Sequence, residues 1–260
     1  MCLISFAWKM SAQYKLLLAA NRDEFINRPT RHARFDGDIL AGKDLQAGGT
    51  WLGVTRTGRL AAVTNYRSAD SLIEGAKTRG ALVSEFLSSD CSVADYLLQL
   101  GDRGENYNPY NLLLYDGCEL ICYNSKTNQA ETLSAGVYAL SNHFLSSDWP
   151  KQNRTRAAMT KLLEEKKSID ADKLFSIMMN TERAIDSDLP ETGVTLEWER
   201  RLSSIFIEGT DYATRSTSVV MFDYHGACQF IEKNHSQQGV SEIACDELFI
   251  LTDNEQSLYS

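Results

Sequence analysis

An α+β fold, with helices packed outside two stacked antiparallel sheets, is predicted by the order in which two kinds of pattern follow one another. Paired strand-like runs open and close the chain, and segments with apolar residues at helical spacing lie between them. No linker, low-complexity tract or solenoid-period repeat divides the sequence, so residues 1–260 are expected to form a single domain.

The elements follow in chain order. Residues 3–8 and 14–20 are apolar runs joined by Lys-Met-Ser-Ala-Gln and predict an opening β-hairpin. Runs 51–55 and 60–65 flank Arg-Thr-Gly-Arg, 111–115 and 119–123 flank Asp116-Gly117, and 218–222 and 228–232 flank Tyr-His-Gly, each a hairpin signature. Residues 137–140 read as a further strand. Helices are expected at 81–87 and 93–100, over 153–166 where Ala158, Leu162 and Leu163 share a face, and after the capping candidate Asp170, where Leu174, Ile177 and Met178 do so.

Composition limits the function. With 43% hydrophobic residues the chain can bury a sizeable core. Acidic residues outnumber basic ones, 35 to 26, for a formal charge of -9, and no Lys/Arg run exceeds the pair Arg200-Arg201, so binding to a phosphate backbone is not expected. Apolar stretches such as 14–20 are far shorter than the ~20 residues of a spanning helix. Six cysteines, at 2, 91, 118, 122, 228 and 245, are too sparse for a disulfide framework, and the first residues lack a basic region and a cleavage site. A reduced, cytoplasmic protein is the expectation. The sequons at Asn153 and Asn234 then read as chance matches.

Cys2 carries the first chemistry. Removal of Met1 would leave one residue with both a thiol of pKa about 8.5 and an α-amine of pKa about 7.7–8.0, a nucleophile beside its own base. The competing reading is a buried strand cysteine acting as a small hydrophobe. Other polar residues gather where strand-like runs end. Asn21-Arg22-Asp23-Glu24 follows the run 14–20, Asn65 and Asn142 end two others, and Arg215 precedes the run 218–222. Together they offer an orienting carboxylate in Asp23, amide donors for an oxyanion in Asn65 and Asn142, and in Arg215 a cation to lower a thiol pKa. Solvated turns are the plainer account of each taken singly.

These residues fall within short motifs that resemble the NRDE family, also called the transport and Golgi organization protein 2 family. The motifs are Met1-Cys2, Asn21-Arg-Asp-Glu24, Gly48-Gly-Thr-Trp-Leu-Gly53, Asn65-Tyr-Arg67, Asn108-Pro-Tyr-Asn-Leu112, Leu140-Ser-Asn142, Trp149-Pro-Lys151 and Tyr212-Ala-Thr-Arg-Ser216. They cover nearly the whole chain in order. The resemblance implies a four-layer αββα sandwich like that of N-terminal nucleophile hydrolases. Against the cysteine branch of that class, the bile salt and penicillin V acylases, Cys2 looks like the nucleophile, and Asp23, Asn65, Asn142 and Arg215 like its partners. Those enzymes also carry an Arg three positions before the Asp, where this chain has Ala20.

What the family resemblance implies for function is haem trafficking. The expected ligand is therefore haem or another apolar small molecule, exchanged with donor and acceptor proteins that the sequence does not identify. Such a ligand calls for an open apolar cleft with a cationic rim, for which Arg22, Arg67 and Arg215 are candidates and Trp51 a candidate wall. His32, His143, His225 and His235 are the possible imidazole ligands. Cysteine-dependent hydrolysis of a non-peptide amide is the alternative, and a degenerate hydrolase fold serving as a partner-binding scaffold the third reading. No metal site is expected: Cys118 and Cys122, four positions apart on a strand, are ~13 Å distant. Gly48-Gly-Thr-Trp-Leu-Gly53 lacks the Lys and Ser/Thr of a phosphate loop and reads as a turn feeding a strand.

Overall fold

The computed structural model describes residues 2–68, 72–165, 168–236 and 241–252. Met1, on which N-terminal processing turns, and Lys166, the expected end of a helix, lie outside the described residues. Two long antiparallel strands open the chain, β1 (Cys2–Trp8) and β2 (Tyr14–Phe25). A seven-stranded sheet follows in sequence order: β3 (Thr30–Asp36), β4 (Ile39–Asp44), β5 (Leu52–Thr55), β6 (Leu60–Asn65), β7 (Tyr110–Tyr115), β8 (Leu120–Asn124) and β9 (Gln129–Thr132). Helices α1 (Gly80–Leu87) and α2 (Val93–Leu100) are inserted between β6 and β7. Strand β10 (Gly136–Leu140) returns to pair with β1, and α3 (Pro150–Glu164), α4 (Ala171–Met178) and α5 (Leu196–Leu202) come next. Then β11 (Tyr212–Asp223), β12 (Ala227–His235) and β13 (Ser241–Ile250) complete the first sheet, whose order is β10-β1-β2-β11-β12-β13.

Period-two alternation assigns the faces. Ile4, Phe6, Trp8, Leu16 and Leu18 meet Leu40, Leu52, Val54 and Leu113 between the sheets. Their neighbours Leu3, Ala7, Leu17 and Ala19 pack instead under Met159, Leu162, Leu174 and Phe175 of α3 and α4. On the other side Ala61, Val63, Leu112 and Leu114 take Leu82, Val83, Phe86 and Tyr96 from α1 and α2. Four layers result, α, β, β and α, as the family resemblance implies.

Two expectations are corrected. Asn21-Arg22-Asp23-Glu24 is not a turn after the second strand but part of it: β2 pairs with β1 through Cys2↔Arg22 and with β11 through Thr214↔Asp23, so both neighbours satisfy its backbone. Arg215 does not precede its strand either. It is the residue bulged out of β11, where the register with β2 shifts between Thr214 and Ser216. The glycine turn before β5 is as expected, and its Gly49 lies against Gly80 so closely that a Cβ would stand 2.4 Å from the Gly80 carbonyl carbon. All six cysteines are free. Cys118 precedes β8 and is exposed, whereas Cys122 is buried within it.

Candidate functional site

A cleft of about 460 Å³ opens where the ends of β1, β2 and β6 meet the segment leading into α1. Its lining includes Cys2, Arg22, Asp23, Trp51 and Asn65, five of the eight residues expected from sequence. Cys2 is 7% exposed, and Ser141 Oγ donates to its carbonyl at 3.1 Å. Burial pushes its thiol above the ordinary value; the carboxylates of Asp23 and Glu24 add to this, against the opposing charge of Arg22.

Asp23 is 1% exposed. Thr214 Oγ1 donates to its Oδ1 at 2.7 Å, and the Tyr212 hydroxyl donates to its carbonyl at 3.1 Å. Burial raises its carboxyl, with Lys151 the strongest opposing influence. Lys151, in the first turn of α3, is 2% exposed and is pushed down to about 8 by burial, which the charge of Asp23 partly offsets. This buried lysine is the last residue of the motif Trp149-Pro-Lys151. The motif was legible in the sequence; the burial that gives the lysine its character was not.

Cations dominate the cleft more than was expected. Arg22 Nη1 donates to Thr30 Oγ1 at 3.2 Å, and its Nη2 lies 3.9 Å from Glu24 and 3.8 Å from Asp44. Arg28 Nε bonds Asp44 Oδ2 at 2.7 Å. Arg79 and Lys77 complete the wall, and Arg79 Nη1 donates to the Pro109 carbonyl at 3.2 Å. Burial lowers the Arg79 guanidinium, while Cys2 and Glu24 oppose that shift. Sequence reading missed Arg28, Lys77 and Arg79 because they stand outside the quoted motifs; only the fold carries them to Cys2. The cleft is therefore a polar recess in which Arg22, Arg28, Lys77 and Arg79 face the carboxylates of Asp23, Glu24 and Asp44, with Trp51 and Val63 as apolar walls, not the predominantly apolar slot expected.

Three expected residues lie elsewhere. Asn142, expected to serve an oxyanion, is fully buried, and its Nδ2 donates to the Asn65 carbonyl at 3.0 Å, which ties the chain after β10 to the end of β6. Arg215 Nη1 donates to the carbonyls of Phe25, Ile26 and Arg28 at 3.0, 2.8 and 3.3 Å, which fastens the turn after β2. Arg67 points into a separate pocket with His143 and Trp149. Neither Asn142, Arg215 nor Arg67 lines the Cys2 cleft, and none of the four histidines does so. His235, which packs against Thr217 Oγ1 and Ser241 Oγ at 2.8 and 2.7 Å, is held down to about 4 by burial. Among the described residues no group of three or more His, Cys, Asp or Glu could hold a metal ion, and no helix is long and apolar enough to cross a membrane.

Comparisons with known proteins agree with this architecture. A family profile described as Transport and Golgi organisation 2 matches residues 1–237. The Transport and Golgi organization protein 2 homolog of Bos taurus is 32% identical over 257 residues, covering 90% of this chain and 93% of the relative. That of Homo sapiens is 30% identical over 264 residues, covering 93% and 95%. Among solved structures, a mutant conjugated bile acid hydrolase from Clostridium perfringens superposes with TM-score 0.54 at 13% identity, covering 98% of this chain and 97% of that one. A Caenorhabditis elegans N-acylethanolamine-hydrolyzing acid amidase ortholog gives TM-score 0.52 at 9% identity, covering 84% and 92%. At these identities the structural likeness concerns the fold, that of N-terminal nucleophile hydrolases.

Proposed function

The chain belongs to the Transport and Golgi organisation 2 family, and from that premise and the Cys2 cleft we propose that it binds and carries an anionic small molecule, with haem the leading candidate. One observation supports this reading: Arg22, Arg28, Lys77 and Arg79 converge on one recess with Trp51 and outnumber its carboxylates Asp23, Glu24 and Asp44, while Asn142 and Arg215 hydrogen-bond to backbone carbonyls outside it. The rim suits the two propionates of haem, since guanidinium groups bind carboxylates with directed, charge-assisted hydrogen bonds. Among the described residues of that lining there is no His, Met or Tyr, and the burial of Cys2, which favours the neutral thiol, makes it a poor axial ligand. The polar lining would serve the propionate edge of haem rather than its apolar face, which favours a ligand held loosely and released. Haem, when bound, would bring its own redox chemistry; the protein supplies charge and shape.

The test is a footprint. Hemin should slow alkylation of Cys2 by iodoacetamide at least tenfold while leaving Cys118, exposed and remote from the cleft, unaffected. Equal rates for Cys2 with and without hemin would refute the placement.

A second reading, cysteine-dependent amide hydrolysis, is favoured by the convergence of Cys2, Asp23 and Asn65 on one cleft within this fold. Release of the free amino acid and the carboxylic acid from an N-acyl amino acid, lost in Cys2→Ser, would support it: Cys2 displaces the amine to form a thioester that water then hydrolyses, returning the thiol. No release above the Cys2→Ser background from a panel of such amides would count against it.

A further inference from the structure

Tyr66 and Arg67 from one quoted motif and Trp149 from another meet beside His143, outside the lining of the Cys2 cleft. Around them lies a pocket of about 290 Å³ that shares no lining residue with the Cys2 cleft; it is formed by Tyr66, Arg67, Lys126, His143 and Trp149 with Pro190, Glu191 and Thr192 of the loop before α5. We propose that this second pocket binds a small organic anion through its carboxylate or phosphate group, with Arg67 as the recognition residue.

The Arg67 side chain is only 9% exposed. Its Nε and Nη1 are buried with no hydrogen-bond partner, although a guanidinium carries five N–H donors and such donors are nearly always satisfied when buried. The nearest carboxylate does not close the account. Glu199 Oε2 stands 3.3 Å from Nη1 yet is itself without a hydrogen bond, while its Oε1 accepts from Thr192 N at 3.0 Å and Thr192 Oγ1 at 2.5 Å. Burial disfavours the charged guanidinium, and Glu199 is the main opposing influence. A second anion would satisfy donors that Glu199 leaves unpaired.

The surroundings fix Arg67 in place. Its guanidinium lies 4.8 Å from the Trp149 ring centroid, a cation–π contact. His143 stacks at 5.2 Å between Tyr66 and Trp149, and its Nδ1 lies 2.8 Å from Ser147 Oγ. Burial and the Arg67 charge hold His143 below its ordinary pKa. Lys126 adds a second positive charge to the lining and Glu191 a negative one. The volume, at the lower end for small-molecule pockets, admits a compact metabolite rather than an extended lipid.

The experiment follows the Arg67 Nε–H resonance by NMR during titration with inorganic phosphate and, separately, with succinate. Saturable shifts in the millimolar range are expected with at least one probe, and which probe gives them distinguishes a phosphate ester from a carboxylate as the natural group. Glu199→Gln should tighten binding at least threefold, because it removes a negative charge beside the guanidinium that repels the incoming anion, and Arg67→Met should abolish it. Should Arg67→Met fail to fold, the sign of the Glu199→Gln effect still decides. No saturable shift with either probe, or weaker binding in Glu199→Gln, would overturn the proposal.

Discussion

Asp23 and Thr214 stand opposite each other on β2 and β11, and the Thr214 hydroxyl donates to Asp23 Oδ1 at 2.7 Å one residue before the Arg215 bulge. The bulge lets one strand place two polar side chains to different ends. Thr214 holds the buried carboxylate beside Cys2, while Arg215 turns away to bind the chain leaving β2. Thr214→Val should leave Asp23 buried without this donor and lower stability by about 1–3 kcal/mol in urea denaturation at pH 7. A loss below about 0.5 kcal/mol, the range of an ordinary surface change, would contradict the role given to Thr214.

Lys151 provides a pH signature. Its value in the folded protein, about 8, lies below the 10.5 of an exposed lysine, so between these values the unfolded chain holds a proton that the folded protein lacks. Stability contributed by this group therefore rises with pH across that window. The stability of wild type relative to Lys151→Met should increase between pH 8 and 10.5. A pH-independent difference would show that Lys151 titrates normally and does not feel its burial.

Thiol labelling should follow exposure. Because burial raises the Cys2 thiol, iodoacetamide at neutral pH should modify Cys118 well before Cys2, with Cys122 and Cys228, both held up by burial, slower still. Faster labelling of Cys2 than of Cys118 would reveal an activated nucleophile and favour the hydrolytic reading.

Arg215→Ala removes three hydrogen bonds to backbone carbonyls and should destabilise the fold by about 1–3 kcal/mol while leaving the cleft's ligand affinity within twofold. Thermal melts and ligand titration on the same sample separate the two. An unchanged melting temperature with a large loss of affinity would return Arg215 to the site from which its hydrogen bonds remove it.

The layers were legible because the hairpins write their faces as alternation: Ile4, Phe6 and Trp8 against Leu3 and Ala7 give both the inner and the helix-covered side of β1. Strands such as β3, which carries Arg31, His32, Arg34 and Asp36, escaped because an edge strand borrows its order from a neighbour and needs few apolar residues. The site was legible as a set of motifs, not as an arrangement. Sequence spacing placed Asn142 and Arg215 at strand ends, but whether a donor faces a cleft or is taken by a nearby carbonyl depends on register and on a bulge. The cations that line the cleft come from two separate segments, 22–28 and 77–79, which motif reading has no means of joining.

The central claim is that the Cys2 cleft holds an anionic ligand by its cations, and a hemin titration followed by the Soret band tests it most directly. Wild type should bind saturably with a dissociation constant in the micromolar range, about -8 kcal/mol. Arg79→Met should weaken binding by roughly tenfold or more, the loss expected when a charge-assisted hydrogen bond is removed, while Arg215→Ala and His235→Ala should match wild type. Nonsaturable binding, or equal affinity in wild type and Arg79→Met, would contradict the account.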